Sequence, residues 1–307
     1  MKHQMALTLK VALTMLLPVV AIVGLAYFSD ISQVAEIAKE LTFPVFSMIV
    51  IISVIRPIIG GIRSSYAYSP IGKLRIIDAA KGYSLSAYGG IFLPSSIGGD
   101  VFRIEHMKNC TNSTRKEAFL VAAVERISGL LSLIVMTVCV SFLDLPFSIS
   151  FDWIYVMIFV VSLLIMLTLF MVKKMQTNSV IVKTVDYIQN YASTKLLAGV
   201  FFLTVIFQCV SLSIPALVAW SISGYETGCI VAIITPIVAL VASLPISVGG
   251  IGIREAGYVG FGTLLGVDSD ILLISGLSLS ASIILSGLPG IWLQNELILT
   301  NVDHQSE

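Results

Sequence analysis

Six long apolar runs constrain the fold of this chain more than any other feature of its sequence. Of its 307 residues, 57% are hydrophobic and 12% are charged, which is about half the charged fraction of an ordinary soluble domain. Each run is near the roughly 17–25 residues that a helix needs to cross a bilayer, and together they cover residues 11–28, 41–55, 118–143, 153–172, 196–222 and 271–293. The sequence therefore predicts an all-α integral membrane protein, a single polytopic domain over residues 1–307.

Two further apolar segments are interrupted. Residues 76–93 contain charged side chains and a Gly-Gly pair, and residues 230–244 lead into a glycine-rich stretch. Interrupted segments of this kind are typical of re-entrant backbone that is buried in protein at membrane depth. We predict six full transmembrane helices plus two re-entrant helical hairpins, over residues 76–110 and 229–266, or seven to eight transmembrane segments in all.

The distribution of basic residues gives the orientation. If the N-terminus is cytoplasmic, the external loops are residues 29–40, 144–152, 223–229 and 267–270. Of the 18 lysines and arginines, only Lys39 falls in these loops, as the positive-inside rule requires. A full crossing by residues 76–93 would instead place four basic residues of the following loop outside. We therefore expect both termini to be cytoplasmic and the protein to lie in the plasma (inner) membrane.

One phrase occurs twice. Residues 93–103 read Leu-Pro-Ser-Ser-Ile-Gly-Gly-Asp-Val-Phe-Arg, and residues 244–254 read Leu-Pro-Ile-Ser-Val-Gly-Gly-Ile-Gly-Ile-Arg. The two copies fall at the same point of two halves, residues 1–145 and 150–296, each with two helices, a hairpin and a third helix. Three crossings per half is an odd number, so the second half is inverted. Transporters with inverted repeats bind substrate near the midplane, where broken helices meet.

The repeated phrase has the chemistry of an anion site. Adjacent glycines let a ligand approach the main chain closely, and a helix that restarts after them presents free N–H groups and a positive dipole end. Arginine adds a planar fork that suits a phosphate group. The predicted substrate-binding residues are Gly98, Gly99, Asp100, Arg103, Gly249, Gly250, Arg254 and Glu255.

The same charges also have a purely structural interpretation. Arg254 paired with Asp100, and Arg103 paired with Glu105 or Glu125, would lock two hairpins together without contacting substrate. We favour the functional interpretation because a charge at membrane depth costs about 2.5–3.5 kcal/mol on insertion scales and commonly marks a substrate pathway.

Other polar residues receive supporting assignments. The Glu125-Arg126 pair is either a brace for the first hairpin or a charge pair at the cytoplasmic end of a helix. Together with Glu105, it is expected to contact and position the substrate-binding residues. Four basic residues are expected to mark the cytoplasmic side and to contact anionic headgroups, namely Arg56, Arg63, Lys73 and Arg75. Three tyrosines are interpreted as helix-packing residues, namely Tyr83, Tyr88 and Tyr258.

Composition limits the partners. The chain has three histidines and a formal net charge of zero, which predicts no histidine-built metal site and no nucleic-acid partner. It also lacks a Walker-type glycine loop. We expect no cofactor, and we expect membrane lipids as the partners, either phospholipids or polyprenyl-phosphate-linked headgroups, together with a possible enzyme of envelope biosynthesis.

Three motifs resemble the lysylphosphatidylglycerol synthase transmembrane family, also described as flippase-like. They are Gly98-Gly99-Asp100-x-x-Arg103, Glu125-Arg126 and Pro245-x-x-x-Gly249-Gly250-x-Gly252-x-Arg254-Glu255, and the resemblance covers nearly the whole chain. In bifunctional members the membrane part is similar to a flippase for aminoacylated phosphatidylglycerol, joined to a soluble aminoacyl-transferring domain. Because the sequence ends at Glu307, shortly after the last predicted crossing, we expect a stand-alone member without synthase activity. Relatives often carry glycine and a basic residue where Ser95 and Ser96 stand, which makes the first hairpin less cationic in this chain.

The resemblance implies a lipid flippase or scramblase that moves a phospholipid or a lipid-linked, aminoacyl- or glycosyl-bearing headgroup across the plasma membrane. The alternative is a non-transporting membrane partner of a separate glycosyltransferase or aminoacyltransferase in cell-envelope biosynthesis. A third possibility is an enzyme that acts on a polyprenyl-phosphate sugar, with Asp100 and Glu255 as acid and base. It ranks last because no nucleophile or metal cluster accompanies those acids, so we expect no enzymatic activity.

Overall fold

The computed structural model describes residues 36, 39–92, 98–141, 193–243 and 249–293. Two predicted crossings, residues 11–28 and 153–172, lie outside these ranges, as do the first five residues of each repeated phrase. Within the described ranges the chain is helical, without strands, and forms eight helices. They are α1 (Phe43–Ala67), α2 (Ile76–Phe92), α3 (Gly98–Thr111), α4 (Arg115–Ser141), α5 (Thr194–Ser223), α6 (Tyr225–Ala242), α7 (Ile253–Thr263) and α8 (Ser269–Gly287).

Five of the described helices are long and apolar enough to cross a membrane. Four of them, α1, α4, α5 and α8, correspond to predicted crossings, and the fifth is α6, the first limb of the predicted second hairpin. The protein is therefore a multi-pass helical membrane protein. In contrast, α7 has 11 residues, about half of the ~20 that a crossing needs.

The first described crossing extends further than the sequence predicted. We expected it to end at residue 55, but α1 continues to Ala67 and includes Arg56 and Arg63. That boundary was wrong because both guanidinium groups point inward and cover the Phe207 ring, at 5.8 and 5.0 Å from its centroid. An arginine that faces the protein interior does not end an apolar helix, whereas one that faces lipid would.

Both predicted hairpins are antiparallel helix pairs. In the first, the end of α2 meets the start of α3, since Gly99 packs on the backbone of Ser86 and Gly90, and the far ends meet where His106 Nε2 lies 3.0 Å from the Asp78 carbonyl oxygen. The second hairpin has the same form. There Gly250 packs against Ala242, and Gly257 packs against Val238.

The second helices of the two predicted halves also run antiparallel. Gly199, near the start of α5, packs on the Tyr66 ring at the end of α1. Ile214, in the second half of α5, shares a buried cluster with Ile49 near the start of α1. Opposite directions of equivalent helices are what an inverted repeat requires.

Helix α8 contacts both hairpins and α1. On the first hairpin, Gly287 lies against the backbone of Tyr88, and on the second, Gly276 lies against Glu255. Small residues permit this close approach of helices in a membrane. The two hairpins are thereby held on one common helix.

Candidate functional site

The two hairpins meet at their ends, backbone against backbone. A Cβ atom on Gly249 would lie 3.1 Å from the carbonyl oxygen of Gly90. Gly249, Gly250 and Gly252 have φ values of 60°, 79° and 81°, a region that side-chain-bearing residues enter at a cost of about 1–2 kcal/mol. We expected these glycines to let a ligand approach the main chain. In the structure they form a tight turn and permit the contact between the two hairpins.

In the first hairpin, Asp100 is enclosed by donors. The Ser86 hydroxyl donates to Oδ1 over 3.0 Å, and the Arg126 guanidinium donates to Oδ2. Arg103 Nε lies 3.8 Å from Oδ1. The carboxylate thus links α2, α3 and α4 at the start of the second limb.

Glu125, on α4, is the most enclosed acid that contacts the first hairpin, with 1% of its surface exposed. Arg103 Nη2 lies 2.8 Å from its Oε2, and Arg63 Nε lies 3.5 Å from its Oε1. Oε1 also accepts a hydrogen bond of 2.6 Å from the Ser64 hydroxyl. Together with the contact of Arg126 with Asp100, these contacts make the Glu125-Arg126 pair a brace for the first hairpin.

Tyr83 is more than a packing residue. Its ring lies beneath two guanidinium groups, with Arg103 Cζ 4.8 Å and Arg63 Cζ 5.5 Å from the ring centroid, and its hydroxyl accepts a hydrogen bond from Arg63. Cation–π contacts of this kind stabilise a desolvated arginine by up to about 2 kcal/mol. Helical spacing places Tyr83 on the same face of α2 as Ser86, but the contacts of its ring with two arginines become visible only in the fold.

The second hairpin uses neutral oxygens to hold its arginine. Arg254 Nη1 donates to the Ser280 hydroxyl over 2.6 Å, and Nη2 donates to the Gly249 carbonyl over 3.0 Å. The alternative structural pairing of Arg254 with Asp100 is therefore wrong, because the turn folds the guanidinium back onto its own hairpin and α8.

Glu255 caps its own helix. Its Oε2 accepts the backbone N–H of Gly252 over 2.6 Å, and its Oε1 accepts the Ser280 hydroxyl over 2.5 Å. At least one N–H group of the α7 N-terminus, which we expected to be free for an anion, is thus occupied by an internal carboxylate. Ser280 consequently connects Arg254 to Glu255.

Glu105 lies away from this interior. It pairs with Lys108 at 2.9 Å and with Arg115 at 2.7 Å, and the Arg115 side chain is largely exposed. Pairing of Arg103 with Glu105 is therefore not observed, because Glu105 lies on the face of α3 that meets the start of α4. The acids that follow the two repeated phrases therefore differ in their environment. Glu105 lies on an outer face, whereas Glu255 is buried beside Arg254.

Positive charge exceeds negative charge in the interior around the two hairpins. Two arginines that we assigned to the cytoplasmic boundary belong to it. Among the described residues, five guanidinium groups meet three carboxylates there, namely Arg56, Arg63, Arg103, Arg126 and Arg254 against Asp100, Glu125 and Glu255. An anionic ligand would offset the excess.

The helices and their ionised interior define a multi-pass membrane protein built around paired hairpins. The chain belongs to the family described as Lysylphosphatidylglycerol synthase TM region, whose sequence model matches residues 9–290. All three motifs of the sequence resemblance fall inside this range. Neither the curated proteins nor the solved structures include a match to the chain.

Proposed function

We propose that this protein is a flippase or scramblase that moves a phospholipid or a lipid-linked, aminoacyl- or glycosyl-bearing headgroup across the plasma membrane. The contact of Gly249 with Gly90, which joins hairpins from the two halves beside buried arginines, is the observation that carries this proposal. Discontinuous helices that meet at the interface of two repeats are the usual place of a transporter substrate site.

The charges support a role in headgroup binding. A lipid phosphate carries negative charge, and arginine forks bind phosphate through paired N–H groups. A headgroup in this interior would face an excess of guanidinium groups while its acyl chains stay in the surrounding lipid. Asp100 and Glu255 each accept hydrogen bonds from two donors, which supports a role in positioning the arginines rather than in proton transfer.

The antiparallel packing of α1 and α5 supports movement in both directions. In an inverted repeat each half presents to one side of the membrane what the other half presents to the opposite side. A site between the halves is then accessible from either leaflet by a rocking of one half against the other. Transport by this route requires the hairpin contact to open and close.

The test is reconstitution in vesicles of phosphatidylcholine that contain fluorescent phosphatidylglycerol in both leaflets. We expect the purified chain to make the inner-leaflet probe accessible to a membrane-impermeant quencher, and Arg254→Ala to abolish this. Arg75→Ala is the matched control, because Arg75 is exposed and pairs with Asp78 at the surface. Movement that is unaffected by Arg254→Ala would contradict the site, and no movement of any lipid tested would instead support a non-transporting partner of a separate transferase.

A further inference from the structure

Arg56 is an inward-facing cation that lacks a hydrogen-bond partner among the described residues. It lies in the middle of α1 and places its Cζ 5.8 Å from the centroid of the Phe207 ring. Its Nη1 atom is buried and makes no hydrogen bond there. Neighbouring residues on α1 are exposed on the outer surface, for example Val54. A buried donor on a charged group that finds no acceptor is costly, so its retention needs an explanation.

Arg254 and Arg56 are like charges that contact neighbouring turns of the same helix, α8, either directly or through the preceding turn of α1. The connection runs through α8. Ser53, one turn before Arg56, donates to Ser282 Oγ over 2.8 Å, and Ser280, two residues earlier on α8, accepts the hydrogen bond from Arg254. Two like charges are thus brought together at membrane depth, where each is already unfavourable.

Glu255 offsets only one of these two charges. Its carboxylate is linked to Arg254 through the shared Ser280 hydroxyl. Arg56 has no such link in the described part of the chain. The local excess is therefore one positive charge, which a singly charged anion would neutralise.

A third donor lies on the same side of the site. The Ser211 hydroxyl is buried and has no hydrogen-bond partner among the described residues. It lies one turn after Phe207 on α5, so it shares the face that Arg56 covers. Ser53 precedes Arg56 on α1, and Ser211 follows Phe207 on α5. Because the two helices are antiparallel, both serines lie toward the same side of the membrane relative to Arg56 and Phe207.

We infer that Arg56, Arg254 and Ser211 together bind the phosphodiester group of a membrane lipid headgroup, an inference that rests on the proposed lipid-transport function for the source of the ligand. A phosphodiester carries the single negative charge that the site needs. One of its free oxygens would accept from the Arg56 fork, and the other from the N–H groups of Arg254 that remain after the hydrogen bonds to Ser280 and Gly249. The arginine of the first hairpin, Arg103, does not compete for it, since it is already paired with Glu125.

The first test is direct binding to the purified full chain in a neutral detergent, measured by the fluorescence anisotropy of a short-chain, acyl-labelled phosphatidylglycerol. Arg56→Gln should weaken binding by about tenfold or more, as expected for loss of a hydrogen bond to a charged group. Arg75→Gln is the matched control and should leave the Kd unchanged. A neutral diacyl glycolipid with the same label should bind at least tenfold more weakly than phosphatidylglycerol. Equal binding of the two lipids, or an unchanged Kd in Arg56→Gln, would overturn the inference.

The second test uses the stability of the lipid-free protein. Arg56→Met removes a charge that has no hydrogen-bond partner among the described residues, together with its repulsion from Arg254, and Met can still pack on the Phe207 ring. The Tm in lipid-free detergent should therefore rise while lipid binding falls. If Arg56 served only the fold, its replacement would lower both the Tm and lipid binding. A fall in the Tm of Arg56→Met would therefore contradict the ligand role.

The outcome is separable from that of the transport proposal. Binding that depends on Arg56 in a protein that moves no lipid in vesicles would refute transport and leave the site standing. Lipid movement that persists in Arg56→Gln with unchanged binding would refute the site and leave transport standing.

Discussion

Arg103 on α3 and Glu125 on α4 form a buried ion pair, with 2.8 Å between Nη2 and Oε2. The same carboxylate also receives Arg63 and Ser64 from α1. One acid therefore holds the first hairpin to two long helices. Replacement of Glu125 should therefore disturb the contacts of α1, α3 and α4 together.

Glu125→Gln should destabilise the folded protein by about 3–5 kcal/mol, because it leaves two guanidinium groups without their common counter-charge. Arg103→Gln should cost less, since Glu125 retains Arg63. The control is Glu105→Gln, whose surface pairs with Lys108 and Arg115 should be worth less than about 1 kcal/mol. Thermal unfolding in detergent measures all three, and an equal effect of Glu105→Gln and Glu125→Gln would contradict the assigned pairing.

Gly99→Ala should separate the two limbs of the first hairpin. An added Cβ would overlap the Ser86 carbonyl oxygen and approach the Gly90 backbone nitrogen to 2.8 Å, and neither backbone atom can rotate away. Gly90→Ala is the control, since a Cβ there meets no atom within 4 Å. We expect a lowered Tm for Gly99→Ala and an unchanged or slightly raised Tm for Gly90→Ala, and the reverse order would disprove the packing.

Gly250→Ala should disturb both the turn and the arginine that it supports. Its φ of 79° disfavours any side chain, and a Cβ would lie 2.8 Å from Arg254 Nη2. We expect a cost of about 1–3 kcal/mol and weaker lipid movement in vesicles. Gly260→Ala, in the interior of α7 with open space around it, should be neutral or stabilising by about 0.5–1 kcal/mol. Similar losses in both variants would count against the special geometry of the turn.

Ser280→Ala should release Arg254 and Glu255 together, because its hydroxyl accepts from one and donates to the other. Loss of hydrogen bonds to charged groups predicts a cost of about 1.5–3 kcal/mol. Ser278→Ala is the matched control on the same helix, since that hydroxyl bonds the Ser275 carbonyl of its own helix. Thermal unfolding in detergent compares the stability of the two variants. A loss of lipid transport in Ser280→Ala but not in Ser278→Ala would support the proposed binding site.

Single-cysteine variants at positions 110 and 268 test the orientation of the hairpins. Position 110 lies near the end of α3, and position 268 precedes α8. If the first hairpin enters from the cytoplasm and the halves are inverted, a membrane-impermeant maleimide applied to intact cells should label only position 268. Labelling of both from one side would defeat the inverted topology.

Length, apolarity and the repeated phrase were sufficient to predict the class of fold, four of the described crossings and both helix pairs. Apolarity alone misplaced the end of α1, because a window of residues cannot distinguish an arginine that faces lipid from one that faces Tyr83 and Phe207. The sequence also could not reveal Ser280, since serine on an apolar helix commonly bonds its own backbone, as Ser278 does. Hydrogen-bond partners on different helices depend on how the helices pack, and a local sequence pattern does not contain that information.

The two arginines of α1 have a consequence for biogenesis. An arginine at the centre of an isolated helix opposes insertion by about 2.5–3.5 kcal/mol. Tyr83 follows Arg63 closely in the chain, but the carboxylate and the threonine hydroxyl that also contact Arg63 emerge from the ribosome later. Glu125 lies 61 residues after its other partner, Ser64, and Thr204 lies 141 residues after Arg63. The stable integration of α1 therefore depends on contacts that form only once α4 and α5 have been synthesised.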